Sequence, residues 1–202
     1  MAKQPRKADP KAGGTRRPST LESITGTDAL AILKLLAARN ENLAQEIDAV
    51  VKELFSDVEV DEIAARVRAE LESLRVEDVW DRSGARGSGY VDPGDAAWEM
   101  FEEVLLPFLD EVNKYKQLSM LREADLAYRG ILRGIYAFHE ESSTEYKQWA
   151  VDAPREYFGT VLDSWRKLFE ARLPVPRMAA FLQTHCSDWA EWATQSLRSR
   201  KP

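Results

Sequence analysis

From Thr27 to Leu197 apolar residues recur every three to four positions, and no useful run in that span alternates between apolar and polar. A three-to-four spacing gathers side chains on one face of a helix, whereas a half-buried strand needs a period of two. The pattern predicts an all-α fold of about seven to nine helices, built as an irregular bundle or a short helical-repeat array.

The helices can be placed from their caps and apolar faces. Asp28 or Thr27 is the expected cap of a first helix reaching Ala38, and Asn40 caps a second from Glu41 to Phe55. Leu30, Ile32, Leu35 and Leu36 facing Leu43, Ile47, Val50, Val51 and Leu54 read as an antiparallel hairpin. A third helix follows over Asp61–Leu74, with Ile63, Val67, Leu71 and Leu74 on one face, and then a short turn of helix at Glu77–Trp80. Gly84, Gly87 and Gly89 interrupt the pattern. Asp92 before Pro93 then restarts it, since proline at the first helical position gives up no hydrogen bond. That helix is expected to reach Gln117 with a kink at Pro107. Further helices are predicted at Met120–His139, Thr144–Val151, Ala153–Ala171 and Val175–Leu197, the last interrupted near Cys186 with Ser187 as a cap.

Four regions result: a basic tail over residues 1–20, expected to be disordered; a helical unit over 21–81; a glycine-rich loop over 82–91; and an aromatic-rich helical unit over 92–202. The two helical units are read as parts of one fold. Of the nineteen aromatic residues only Phe55 precedes Trp80, so large rings fill the second unit while Leu, Ala and Val fill the first.

Charge follows the same division. Residues 1–20 hold six Lys/Arg against Asp9 alone, which leaves 22 basic and 33 acidic residues in the remainder, a net of −11 against −6 for the chain. An acidic body argues against a nonspecific phosphate groove, and only the tail offers nucleic acid a contact. The single cysteine, Cys186, excludes an internal disulfide and any multi-cysteine metal centre made within the chain. No apolar run approaches the roughly 20 residues that span a bilayer, so no membrane association is expected and the cytoplasm is the expected compartment.

The residue types of catalysis and metal binding are present without their patterns. The position three before His139 is Tyr136 and that three before His185 is Leu182, so neither histidine belongs to a Glu-x-x-His pair. His139 is read as a residue at the edge of an apolar face, and Cys186 as a small core residue. The glycine loop lacks the Gly-Lys-Ser/Thr of a phosphate loop. Neither a catalytic residue, a cofactor nor a metal is expected. The candidate contacts are instead Arg82, Arg86 and Tyr90 in and around the loop, the basic stripe Arg122, Arg129 and Arg133, and the rings of Trp189 and Trp192. Those two rings are read either as core or as an exposed anchor of the kind found at interface hot spots. Gly130 and Gly134 mark the close approach of another helix, from this chain or from a second subunit.

Three segments carry a resemblance: Gly89-Tyr90-Val91-Asp92-Pro93-Gly94-Asp95-Ala96-Ala97-Trp98, Gly134-Ile135-Tyr136-Ala137-Phe138-His139-Glu140-Glu141, and Trp149-Ala150-Val151-Asp152-Ala153-Pro154. Across roughly Ile24–Leu168 the chain resembles the helical region of some SWIM zinc-finger proteins and of their stand-alone relatives. The finger itself requires Cys-x-Cys followed by Cys-x-His, which this chain lacks, so its zinc and its nucleic-acid activity are not implied. What the resemblance implies is an adaptor resembling a helical repeat.

The reading that results is a helical interaction module, a protein-binding adaptor or scaffold. Two alternatives stay open: a small-ligand protein or enzyme with a pocket lined by Trp98, Tyr128, Tyr136 and Trp149, and a nucleic-acid accessory protein acting through residues 1–20.

Overall fold

The computed structural model describes residues 24–87, 89–169 and 175–199, and the expected tail over residues 1–20 lies outside them. It divides into two compact units, one ending at Val51 and the other starting at Lys52. The boundary is therefore well before the glycine loop, and the helices between them belong with the aromatic-rich part.

The first unit holds α1 (Gly26–Arg39) and the greater part of α2 (Glu41–Leu54). The cap of α1 is Thr25 rather than Thr27 or Asp28. Thr25 accepts from the amide of Asp28 at 3.2 Å and gives its own amide to the Asp28 carboxylate at 3.2 Å, a reciprocal capping box. Asn40 caps α2 as expected, its Oδ1 accepting from the amides of Asn42 (3.1 Å) and Leu43 (3.3 Å). The expected antiparallel hairpin is absent. Neither helix buries a single residue, and the two do not pack along their lengths. Asn40, in extended conformation, is the whole connection. Reversing the chain between two helices takes about two to five residues, and one does not suffice.

The second unit is a bundle around α6 (Leu121–Glu141), which packs against α3 (Val60–Glu72), α5 (Pro93–Gln117) and α7 (Ala153–Phe169). α8 (Val175–His185) and α9 (Ser187–Ser199) pack on one another, and α9 also meets α7. α4 (Val76–Arg82) lies on α5 and approaches a 3-10 turn, Glu145–Gln148, which takes the place of the helix expected at Thr144–Val151. A repeat array touches only sequence neighbours, whereas the most extensive packing here joins α3 to α6 across two intervening helices. The architecture is a bundle.

Glycines set that principal contact. A Cβ on Gly130 would lie 2.5 Å from Ile63 Cβ, and one on Gly134 would lie 2.6 Å from Val67 Cβ and 2.8 Å from the Ala64 carbonyl oxygen. The neighbour that this spacing implied is α3 of the same chain. α5 continues through Pro107, which sits at an exposed position. Its start is as expected, Asp92 Oδ1 accepting from the Gly94 amide at 2.8 Å ahead of Pro93 at the first position.

One element departs from the all-helical expectation. Residues of the glycine loop form a small antiparallel hairpin, β1 (Gly84–Arg86) with β2 (Gly89–Val91), pairing Gly84 with Val91, Ala85 with Tyr90 and Arg86 with Gly89. Gly84 (φ +91°) and Gly89 (φ +138°) take backbone angles that side chains disfavour, which is why glycine stands at both ends.

Candidate interaction surface

The second unit buries most of its apolar residues, though Trp80, Tyr90, Leu106, Leu121 and Val151 stay exposed. Trp165, Phe101, Phe138, Phe158, Ile131 and Ile135 are among its fully buried side chains. The rings interlock, as where Phe101 stacks on Tyr157 at 5.3 Å and meets Phe138 at 5.9 Å. A half-buried polar cluster ties the bundle as well: Asp125 accepts from Trp165 Nε1 at 2.7 Å and pairs with Arg129 at 2.8 Å.

That cluster decides the fate of the basic stripe. Arg129 is a strut inside the bundle, its guanidinium against Asp125 and 5.4 Å from the Phe181 ring. Arg133 reaches across to Asp61 of α3 and ties α6 to its main neighbour. Arg122 is exposed. The three do not form one open basic groove, because two of them are spent within the fold.

The tryptophan pair is likewise engaged. Trp189 is only 6% exposed and packs edge-on against Tyr136 (5.3 Å) and Phe158 (5.0 Å). The exposed-anchor alternative is ruled out for that ring, which is core. Trp192 is half-buried beside Phe158, with the Arg155 guanidinium 5.0 Å above it.

The loop residues separate. Arg82 pairs with Glu103 at 2.6 Å, on the rim of a groove of about 480 Å³ lined chiefly by α3 and α5, with Arg66, Pro107 and Phe108 among its residues. Tyr90 stands 71% exposed on β2. Arg86 lies in β1 by its backbone, and its side chain falls outside the described residues. An anion at the start of α5 would meet the Asp92 carboxylate, which already occupies the Gly94 amide. The sequence did not single out Trp80, half-exposed and edge-on to Trp149 at 4.6 Å.

Burial pushes the Cys186 thiol up to about 12, so it is neither a thiolate nor a nucleophile near neutral pH. His139 sits at the edge of the core against the Trp189 ring (4.7 Å), as expected of a boundary residue. Burial, helped by Lys147, lowers its pKa. His185 lies against Phe181 at 4.8 Å and is lowered by burial too. Among the described residues no group of three His, Cys, Asp or Glu side chains is placed to hold a metal ion. The four rings expected to line a ligand pocket have different partners: Trp98 packs on Tyr157, Tyr136 on Trp189 and Trp149 on Trp80, while Tyr128 borders a small groove with Leu109 and Ser164. Among the described residues no helix is long and apolar enough to cross a membrane. The break before α9 falls at Cys186 as expected, but Ser187 is the first helical residue, and the Asp188 amide meets the Tyr136 hydroxyl at 3.4 Å instead.

The greatest concentration of open aliphatic side chains is on α1 and α2. Leu30, Ile32, Leu33, Leu35 and Leu36 of α1 are 41–53% exposed, and Val50 and Leu54 of α2 are 47% and 72% exposed. Single exposed leucines are ordinary, but seven large aliphatic side chains on two adjoining helices exceed what a lone surface element leaves in water. The missed signal was in α1, where Leu33 lies outside the face assigned from sequence and polar residues are confined to Thr27, Asp28, Lys34 and Arg39. A helix apolar around most of its girth needs cover on more than one side. No protein family, no curated protein and no solved structure matches this chain.

Proposed function

We propose that this chain is a cytoplasmic helical interaction module, an adaptor or scaffold that works by contact rather than by chemistry. The observation that carries the reading is the aliphatic surface of α1 and α2, which in an otherwise well-packed chain has the composition of an interface core rather than of a solvated face. Tyr90 on its hairpin and the half-exposed Trp80 are secondary contact candidates in the second unit. The resemblance to the helical region of SWIM proteins points the same way, towards an adaptor.

A photo-crosslinking phenylalanine analogue at Leu33, compared with one at exposed Glu99, tests the reading in cells. A discrete adduct with an identifiable protein from position 33, absent from position 99, is the expected result. Equal and diffuse labelling from both positions would remove the basis for an interface on α1.

A further inference from the structure

We propose that the groove beside Tyr128 binds a small phosphate monoester, held by Lys116 of α5 and Lys167 of α7 against the Tyr128 hydroxyl of α6. The site lies wholly within the second unit and does not rest on the contact reading of α1.

Helical spacing assembles the groove. Leu109, Asn113 and Lys116 are four and three residues apart and share one face of α5, and Ser164, Lys167 and Leu168 share one face of α7 in the same way. α6 packs against both helices and brings Tyr128 into the same groove. Its volume is about 300 Å³, the lower end of the range for small-molecule pockets.

The tyrosine supplies the first pointer to a ligand. Tyr128 is only 6% exposed, and among the described residues nothing accepts its proton. The hydroxyls of Tyr115 and Tyr157, by contrast, donate to Glu111 at 3.0 Å and Glu102 at 3.1 Å. A buried donor without an acceptor is costly, so the partner of this one comes through the groove. Burial raises the Tyr128 pKa, which keeps the hydroxyl a donor.

Charge supplies the second. Lys116 and Lys167 are exposed, and neither is in an ion pair among the described residues. Arg66, Arg68, Arg82, Arg129 and Arg133 each have a carboxylate partner. The described residues lining the groove include no Asp or Glu, in a chain whose acids outnumber its Lys and Arg by 34 to 28. Water would serve the hydroxyl alone, whereas an anion serves the hydroxyl and both lysines at once.

The ligand class follows from the donors. Two ammonium groups act as point charges and match the nearly double charge of a phosphate monoester at neutral pH better than a single carboxylate. Asn113 adds an amide N–H. Ser164 gives its proton to the Thr160 carbonyl at 2.9 Å and so offers no donor. Half-buried Leu109 and Leu168 flank the groove and suit a small organic group on the ester.

Phosphorus NMR titration of phenyl phosphate with the full chain tests the site. Saturable binding with a Kd of about 1 mM or below is the expected result. Tyr128→Phe removes only the unpaired hydroxyl, and should weaken binding about tenfold while the melting temperature of the free protein does not fall. Lys116→Ala with Lys167→Ala should abolish binding. Lys34→Ala with Lys52→Ala removes the same charge at other exposed positions and should leave binding intact. No saturable binding overturns the proposal. Equal losses from the two lysine pairs, or no loss from Tyr128→Phe, overturn it too, since binding would then follow net charge alone. Phosphatidic acid vesicles form a second arm. If they retain the parent but not Tyr128→Phe, and phenyl phosphate does not bind, the soluble ligand is overturned in favour of a lipid headgroup.

Discussion

α1 and α6 both carry leucine, isoleucine and alanine along a helix, yet α6, the more highly charged of the two, buries nine residues and α1 buries none. What separates them is company. α6 has three helices against it and two glycines that let α3 come close, while a one-residue link keeps α1 from folding back on α2. An apolar face is a demand for cover, and nothing in the face itself says whether its own chain meets it. The second unit meets most of that demand within its own bundle, whereas α1 and α2 do not meet it by packing on one another.

The sharpest way to break this contrast is to remove a keystone of the second unit. Trp165 is fully buried, and its indole also donates to Asp125, the carboxylate that Arg129 pairs with. Trp165→Ala should cost about 3–5 kcal/mol, from lost burial and the cavity left behind. Chemical denaturation followed by circular dichroism at 222 nm would show it as a lower midpoint. A loss below about 1 kcal/mol would mean that the bundle does not depend on this packing.

A smaller effect is expected from Gly134→Ala, which forces a methyl group against Val67 and the Ala64 carbonyl. Overpacking of this kind costs about 1–3 kcal/mol. The matched control is Gly26→Ala at the start of α1, where a Cβ meets nothing within 4 Å. The melting temperature of the second unit should drop for the first variant and stay put for the second. If both are silent, the close approach of α3 and α6 is not what holds them.

These two glycines also show how far the sequence could be read. Their four-residue spacing announced a close helix neighbour, and Asp92-Pro93 announced the start of α5 to the residue. Both are local signals with a steric cause. The hairpin at Gly84–Val91 was invisible because three-residue strands are too short to show alternation, and glycine serves a turn as well as a loop. The identity of the neighbour at Gly134, the enclosure of Trp189 and the exposure of α1 were hidden for another reason. Each depends on what lies across a gap from another part of the chain, and helical periodicity carries no such information. The basic stripe failed in that way: its spacing on α6 was legible, but Asp61, which neutralises Arg133, lies on α3.

Within the first unit the stabilising devices are local, so substitutions there should be felt locally. Thr25→Ala removes the hydroxyl that accepts from the Asp28 amide, a change typically worth about 1 kcal/mol of helix stability. Hydrogen exchange should quicken at the first amides of α1, with no change in the second unit. Slower exchange or a response in α6 would contradict the division at Val51.

The smallest effect, and the one that separates the two units in a single titration, is with pH. His139 and His185 of the second unit have pKa values held below the ordinary imidazole range, by burial first and by nearby Lys147 and Arg133 respectively. Below about pH 6.5 the unfolded chain takes up protons that the folded one resists. Their contribution is therefore complete above that range and fades as the pH falls through it. Asp28 of α1 is held below the usual carboxylate range by the Thr25 hydroxyl and then by the Thr25 amide. Its contribution is present above about pH 4 and fades only as the pH falls further. The melting temperature of the second unit should decline between about pH 7 and 5 while the amides at the start of α1 keep their protection. His139→Phe, which keeps a ring against Trp189 but binds no proton, should flatten the first decline without touching the second. A slope in the Phe variant equal to that of the parent would assign the pH response to groups other than His139.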